Sequence, residues 1–217
     1  MPAPSPVFFQ PPMALDLAAS FFCAITGALA AVQKRYDLVG LFVLAFVTGV
    51  GGALLRDGIF LQAGPPAVVQ DARYLLAVAA AAAVVAVSAR HLHRLRTPFI
   101  VADAIALGIY AIVGAQKTLA AGLPAGAAVL VGVVNAVGGG ILRDVLVREE
   151  PLIFRPSELY AIAALAGAGL FVVVTVGLDA APSTVGPVAI VVTIALRLLA
   201  IRLGWRTEAL WREDGKA

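Results

Sequence analysis

The chain has 217 residues, of which 61% are hydrophobic and only 13% charged, with a formal net charge of +3. Soluble domains are about one-half apolar and one-quarter charged, so this balance belongs to a membrane protein. No basic stretch is interleaved with aromatics, which speaks against nucleic acid as a partner.

Residues 1–12 are rich in proline and carry no Lys or Arg. A cleaved secretory signal has a positive n-region, so these residues are read as a loose tail. Apolar runs then cover 17–33, 38–55, 74–89, 98–116, 118–142, 159–178 and 180–196, separated by charged residues. A spanning helix needs about 20 mostly apolar residues, with roughly 17–25 the usual range, and snorkelling flanks extend the shorter runs. These runs predict an all-α integral membrane protein with seven transmembrane helices. A barrel would alternate over segments of about ten residues, which long Ala/Val/Leu runs do not. Cys23 is a lone cysteine inside the first run, so it is read as a small packing residue and forms no intrachain disulfide.

Lys and Arg orient the bundle. Lys34 and Arg35 follow helix 1, Arg90, Arg94 and Arg96 follow helix 3, and Arg148 and Arg155 follow helix 5. Arg202, Arg206, Arg212 and Lys216 follow helix 7, whereas the alternate connections hold only Arg73 and Lys117 outside the motifs described below. The expected topology has the amino terminus outside the cell (inner) membrane and the carboxyl terminus in the cytoplasm. Trp205 and Trp211 suit an aromatic belt on the cytoplasmic side. His91 and His93 are read as solvated headgroup neighbours.

Two stretches are copies. Thr48-Gly49-Val50-Gly51-Gly52-Ala53-Leu54-Leu55-Arg56-Asp57 returns as Asn135-Ala136-Val137-Gly138-Gly139-Gly140-Ile141-Leu142-Arg143-Asp144. From Arg56 to Arg143 is 143 − 56 = 87 residues, and the same step takes Asp16 to Asp103. It also takes Ala24-Ile25-Thr26-Gly27-Ala28 to Ala111-Ile112-Val113-Gly114-Ala115. The shared register indicates a duplicated unit. Three helices per unit is an odd number, so the second copy is inverted, as in transporters whose sites lie near the midplane. The expected divisions are a tail at 1–12, a first three-helix repeat at 13–97, an inverted second repeat at 98–179, helix 7 at 180–204 and a cytoplasmic tail at 205–217.

The paired Gly-Gly-x-Leu/Ile-Leu-Arg-Asp motifs, the repeat and the seventh helix resemble the trimeric intracellular cation (TRIC) channel family. The likeness is greatest to its bacterial members, which share a repeat domain often labelled a glycine transporter. The resemblance implies a homotrimer in membrane lipid, with one pore in each protomer for potassium and other monovalent cations and no cofactor. It also implies that glycines bend helices 2 and 5 beside the pore, which carries over to Gly51, Gly52, Gly138, Gly139 and Gly140. Ala53 stands where the second cluster has Gly140.

Read as chemistry, consecutive glycines loosen a helix and expose carbonyls that can replace part of a cation's hydration shell. The alternative is close helix packing, since small residues four apart let backbones approach. A bend beside the path predicts that Gly52→Ala or Gly139→Ala reduces flux and spares assembly; packing predicts the reverse. Arg56 and Arg143 each share a face with the glycine four residues earlier. Adjacent side chains diverge on a helix, so Asp57 and Asp144 are read either as poor partners for them or as helix-end charges. Asp16 and Asp103 are the expected partners, through the contacts Asp16–Arg56 and Asp103–Arg143. Lys117 is read as an interfacial anchor or as a charge at the outer mouth. Thr48 and Asn135, equivalent in the repeat, line a pore or bond a neighbouring helix.

The function expected is a potassium-permeable channel, with a secondary transporter of a small solute such as glycine as the alternative. An enzyme is disfavoured, because no serine–histidine or metal-ligand set lies within the helices.

Overall fold

The computed structural model describes residues 13–88, 96–154 and 159–205. The amino-terminal tail, Arg90, His91, His93, Arg94, Arg155, Arg206, Trp211, Arg212 and Lys216 lie outside the described residues. Those described form α1 (Met13–Gln33), α2 (Leu38–Leu55) and a wide π-helical continuation of α2 at Arg56–Leu61. After a single helical turn at Ala67–Gln70 come α3 (Ala72–Ser88), α4 (Arg96–Ala120) and α5 (Ala125–Leu146). The last two are α6 (Tyr160–Val172), continued as a π-helix over Val173–Gly177, and α7 (Pro182–Leu203). All but α3 are long and apolar enough to cross a membrane, and α3 is a shorter apolar helix of 17 residues. At 1.5 Å per residue α3 rises about 26 Å, a little under the roughly 30 Å of a hydrocarbon core.

Local chemistry sets the boundaries. The Asp37 carboxylate caps α2 by accepting from the Gly40 N–H at 2.7 Å. The apolar run at 118–142, read as one helix, is divided in the structure. Thr118 belongs to α4, which closes before Gly122 at φ +78°, and α5 starts after Pro124. Only glycine takes that left-handed turn without strain, and with no charge near it the turn is invisible to hydropathy. Arg197, which follows the last apolar run, lies inside α7 (Pro182–Leu203).

In the packing, α1 pairs with α2 and α3, and α2 pairs with α3. The same pattern joins α4 to α5 and α6, and α5 to α6. The two groups meet through α1 against α4 and α2 against α5, while α7 packs on α4 and α6. Burial follows this arrangement: 72% of the apolar window of α4 is enclosed, against 39% for α7. So α4 is central and α7 peripheral. Val39, Val43, Leu76, Val84, Val87, Val188 and Val191 point outward, as a lipid-facing surface requires.

Candidate functional site

The glycine clusters form the contact between α2 and α5. A Cβ built on Gly52 would strike the carbonyl oxygen of Asn135, and one on Gly139 would strike the carbonyl oxygen of Thr48. The two contacts are reciprocal, because Thr48 and Asn135, like Gly52 and Gly139, are 87 residues apart. On Gly51 a Cβ would come within 2.5 Å of Leu142 Cδ1, and on Gly138 within 2.8 Å of Leu55 Cδ1. Lipid tails are as apolar as leucine, so helices in a membrane gain stability by packing, and small residues allow the closest approach. Of the two readings, the geometry supports close packing at these glycines. The α-helix is continuous through both clusters, and the departure from α geometry begins only at Arg56.

One charge cluster lies where α1 starts and α2 ends. Arg56, wholly buried, donates to Asp16 from Nη1 at 3.3 Å and from Nη2 at 3.2 Å. Asp16 Oδ2 also accepts from the Tyr74 hydroxyl at 2.8 Å and from Lys117 Nζ at 2.5 Å. Asp57 is Arg56's second partner, accepting from Nε at 2.6 Å and Nη2 at 3.0 Å. This corrects the expectation that neighbours in sequence do not pair. The rule concerns Cβ directions, whereas a long arginine side chain turns its guanidinium back, and here the wide π turn opens the backbone beneath it. Asp57 also accepts from the Ala67 N–H at 3.2 Å, which ties down the connection that follows.

The second cluster lies where α4 starts and α5 ends. Arg143 donates to Asp103 at 3.5 Å, to Asp144 at 2.8 Å and to Thr26 Oγ1 at 2.8 Å. Its guanidinium also covers the Phe99 ring, 4.6 Å from the centroid. Asp144, paired against expectation for the same reason of reach, is buried and accepts from the Leu152 N–H at 3.2 Å. Arg197 reaches in from α7, 4.9 Å above the Tyr160 ring. Arg143, Asp144, Arg197, Arg96, Glu149 and Phe99 border a cavity of about 310 Å³. At its rim Lys34 pairs with Glu149 at 2.7 Å.

Between the clusters runs a chain of buried polar groups. Asp16, Ser20, Cys23 and Thr26 recur at helical spacing on α1, and all are enclosed. Ser20 bonds the Tyr110 hydroxyl at 2.7 Å, and Tyr110 donates to the Gly49 carbonyl at 2.5 Å. The Cys23 thiol donates to the Thr48 carbonyl at 3.1 Å, so it does more than fill space. Thr48 Oγ1 is occupied by the Leu44 carbonyl at 2.6 Å. Asn135 donates to the Tyr110 carbonyl at 2.7 Å, while its Oδ1 is buried with no partner among the described residues.

Thus Asp16, Arg56 and Lys117 meet at one end, Asp103 and Arg143 at the other, and Thr48, Asn135 and the glycines sit between them. Lys117 belongs to the last turn of α4 and joins the first cluster through Asp16. Sequence reasoning missed Tyr74, Tyr110, Tyr160 and Arg197. A one-residue slip hides the relation of Tyr74 to Tyr160, which are 160 − 74 = 86 apart, and Arg197 lies on the helix that has no counterpart in the repeat.

A family model described as glycine transporter matches residues 13–90 and again 100–176. The fold is similar to a trimeric intracellular cation channel orthologue from Rhodobacter sphaeroides at a TM-score of 0.83 and 32% identity, covering 88% of this chain and 97% of that one. The chain belongs to the bacterial TRIC family. A further TRIC cation channel matches at a TM-score of 0.82 and 31% identity, over 93% of this chain and 98% of its own. The inner membrane protein YadS of Escherichia coli K12 is 36% identical over 189 residues, 87% of this chain and 90% of that protein. As a TRIC-family chain this is a multi-pass membrane protein, and its candidate site is the pair of charge clusters with the packed glycine crossing between them.

Proposed function

We propose that the protein is a homotrimeric channel for monovalent cations, chiefly potassium, with one pore inside each protomer. The observation that carries this reading is the likeness to TRIC cation channels over nearly the whole of both chains. The site agrees with it, because buried charge is tolerable only when compensated, and in both clusters carboxylates offset the arginines. In this reading the two family-matched segments are inverted repeats, α7 is an addition, and the amino terminus faces outward.

The path follows the polar face of α1 beside the crossing of α2 and α5. Asp16, Arg56 and Lys117 stand at one mouth, and Asp103 and Arg143 at the other. Gly51, Gly52, Gly138, Gly139, Gly140, Thr48 and Asn135 mark its narrow middle. Backbone lies against backbone at Gly52 and Gly139, so conduction requires α2 and α5 to part there. Freed carbonyls at that level would then be available to a dehydrating cation.

The family description favours a second reading, exchange of a small solute such as glycine. Purified protein in liposomes separates the two. A channel dissipates a potassium gradient once valinomycin-free vesicles are given a counter-ion path, and takes up no labelled glycine. Saturable glycine exchange without potassium leak would replace the channel by the transporter.

A further inference from the structure

The two clusters are matched in charge but not in origin. Among the described residues, the first holds Asp16 and Asp57 against Arg56 and Lys117. The second holds Asp103 and Asp144 against Arg143, and the repeat cannot supply its fourth member. Lys117 serves the first cluster from the far end of α4; its equivalent 87 residues earlier is Ala30 on α1, a buried alanine. A cation is therefore missing where symmetry would place one. Arg197 fills that role from α7, which has no counterpart in the repeat. It is 4% exposed, close enough to Asp103 for their charges to interact, and shares the cavity wall with Arg143 and Asp144.

We propose that Arg197 is the charge-balancing residue of the second mouth, in the place that Lys117 takes at the first, and that it sets the cation preference of conduction there. This rests on the channel reading. With Arg197 the buried quartet is formally neutral. The Lys34–Glu149 pair at the rim is also neutral, and Arg96 on the cavity wall adds one positive charge. Without Arg197 the remaining three members carry a net negative charge that Arg96 just offsets, so the mouth changes from one net positive charge to none and its repulsion of cations is lifted. One unit charge acting across about 10 Å of water changes local cation concentration about twofold, an effect that fades in molar salt, where the Debye length is about 3 Å.

The test is current–voltage recording of the purified full-length protein in planar bilayers, under symmetric KCl and under a KCl gradient. Arg197→Gln is expected to raise potassium conductance about twofold at low salt and to shift the reversal potential toward that of potassium. It should also introduce rectification opposite in sense to that of Lys117→Gln, and all these differences should vanish at 1 M KCl. Arg197→Lys is expected to restore wild-type behaviour. If Arg197→Gln does not assemble, Arg197→His reads the same charge within one protein, its conductance rising as pH passes upward through about 6.5. Changes that persist in molar salt, a change in Arg197→Lys equal to that in Arg197→Gln, or a pH-independent Arg197→His would overturn the proposal and make Arg197 a packing residue. A silent wild type refutes the channel reading itself, whereas a conducting wild type with unaltered variants refutes only the role of Arg197.

Discussion

Gly52 and Gly139 set two effects of one alanine substitution against each other. Replacing a helical glycine gains up to about 1 kcal/mol of propensity. A methyl forced into a packed backbone costs about 1–3 kcal/mol, occasionally more. The carbonyls of Asn135 and Thr48 that oppose it are backbone and cannot swing aside, so the clash wins. Gly52→Ala and Gly139→Ala are expected to lower the melting temperature and disturb assembly by size-exclusion. Gly126→Ala, whose Cβ would meet nothing within 4 Å, is expected to be neutral or stabilising; equal melting shifts in all three would refute the packing role. Asp16→Ala leaves Arg56 with Asp57 alone and takes the shared acceptor from Tyr74 and Lys117, a loss of up to about 3 kcal/mol, part of which Asp16→Ala with Arg56→Met should recover. A single mutant as stable as wild type in a melting assay would contradict that. The pairing of Asp16 with Arg56 was legible in the sequence from the shared 87-residue step. The donors Tyr74 and Lys117 were not, because nothing local marks a residue that reaches another helix's carboxylate.

At the scale of elements, charge and hydropathy located the helices but not the break between α4 and α5. The turn at Gly122 and Pro124 falls inside a charge-free run, whereas helix 7, expected over 180–204, runs from Pro182 to Leu203 with Arg197 buried against Tyr160. The π turn at Arg56–Leu61 carries no composition signal at all, yet it starts on the arginine of the first cluster. π-Bulges gather at functional sites, and this one brings Asp57 round to Arg56 and to the Ala67 N–H. The proposed inverted arrangement makes a topological prediction. Reporter fusions at Gln70 and Gly122 should report the outer side, and fusions at Glu149 and Gly204 the cytoplasm. Gln70 and Glu149 on the same side would break the inversion.

For the molecule as a whole, the repeated motif and the family likeness lead to the same architecture by separate routes. The sequence repeat speaks of duplication, and the helix packing has the same three pairings within each group. What the sequence could not convey is that the crossing of α2 and α5 is shut by backbone contact, since identical glycine spacing serves an open bend and a tight packing equally well. In the channel proposed above, the pore has to be opened at that crossing, and opening should be seen as discrete gating. Single-channel recording of the purified protein in planar bilayers with potassium as the cation tests this most directly. Stepwise unitary currents that stack in up to three equal levels, one for each protomer, are expected. A silent bilayer, from protein that in liposomes exchanges glycine at a saturable rate, would contradict the channel.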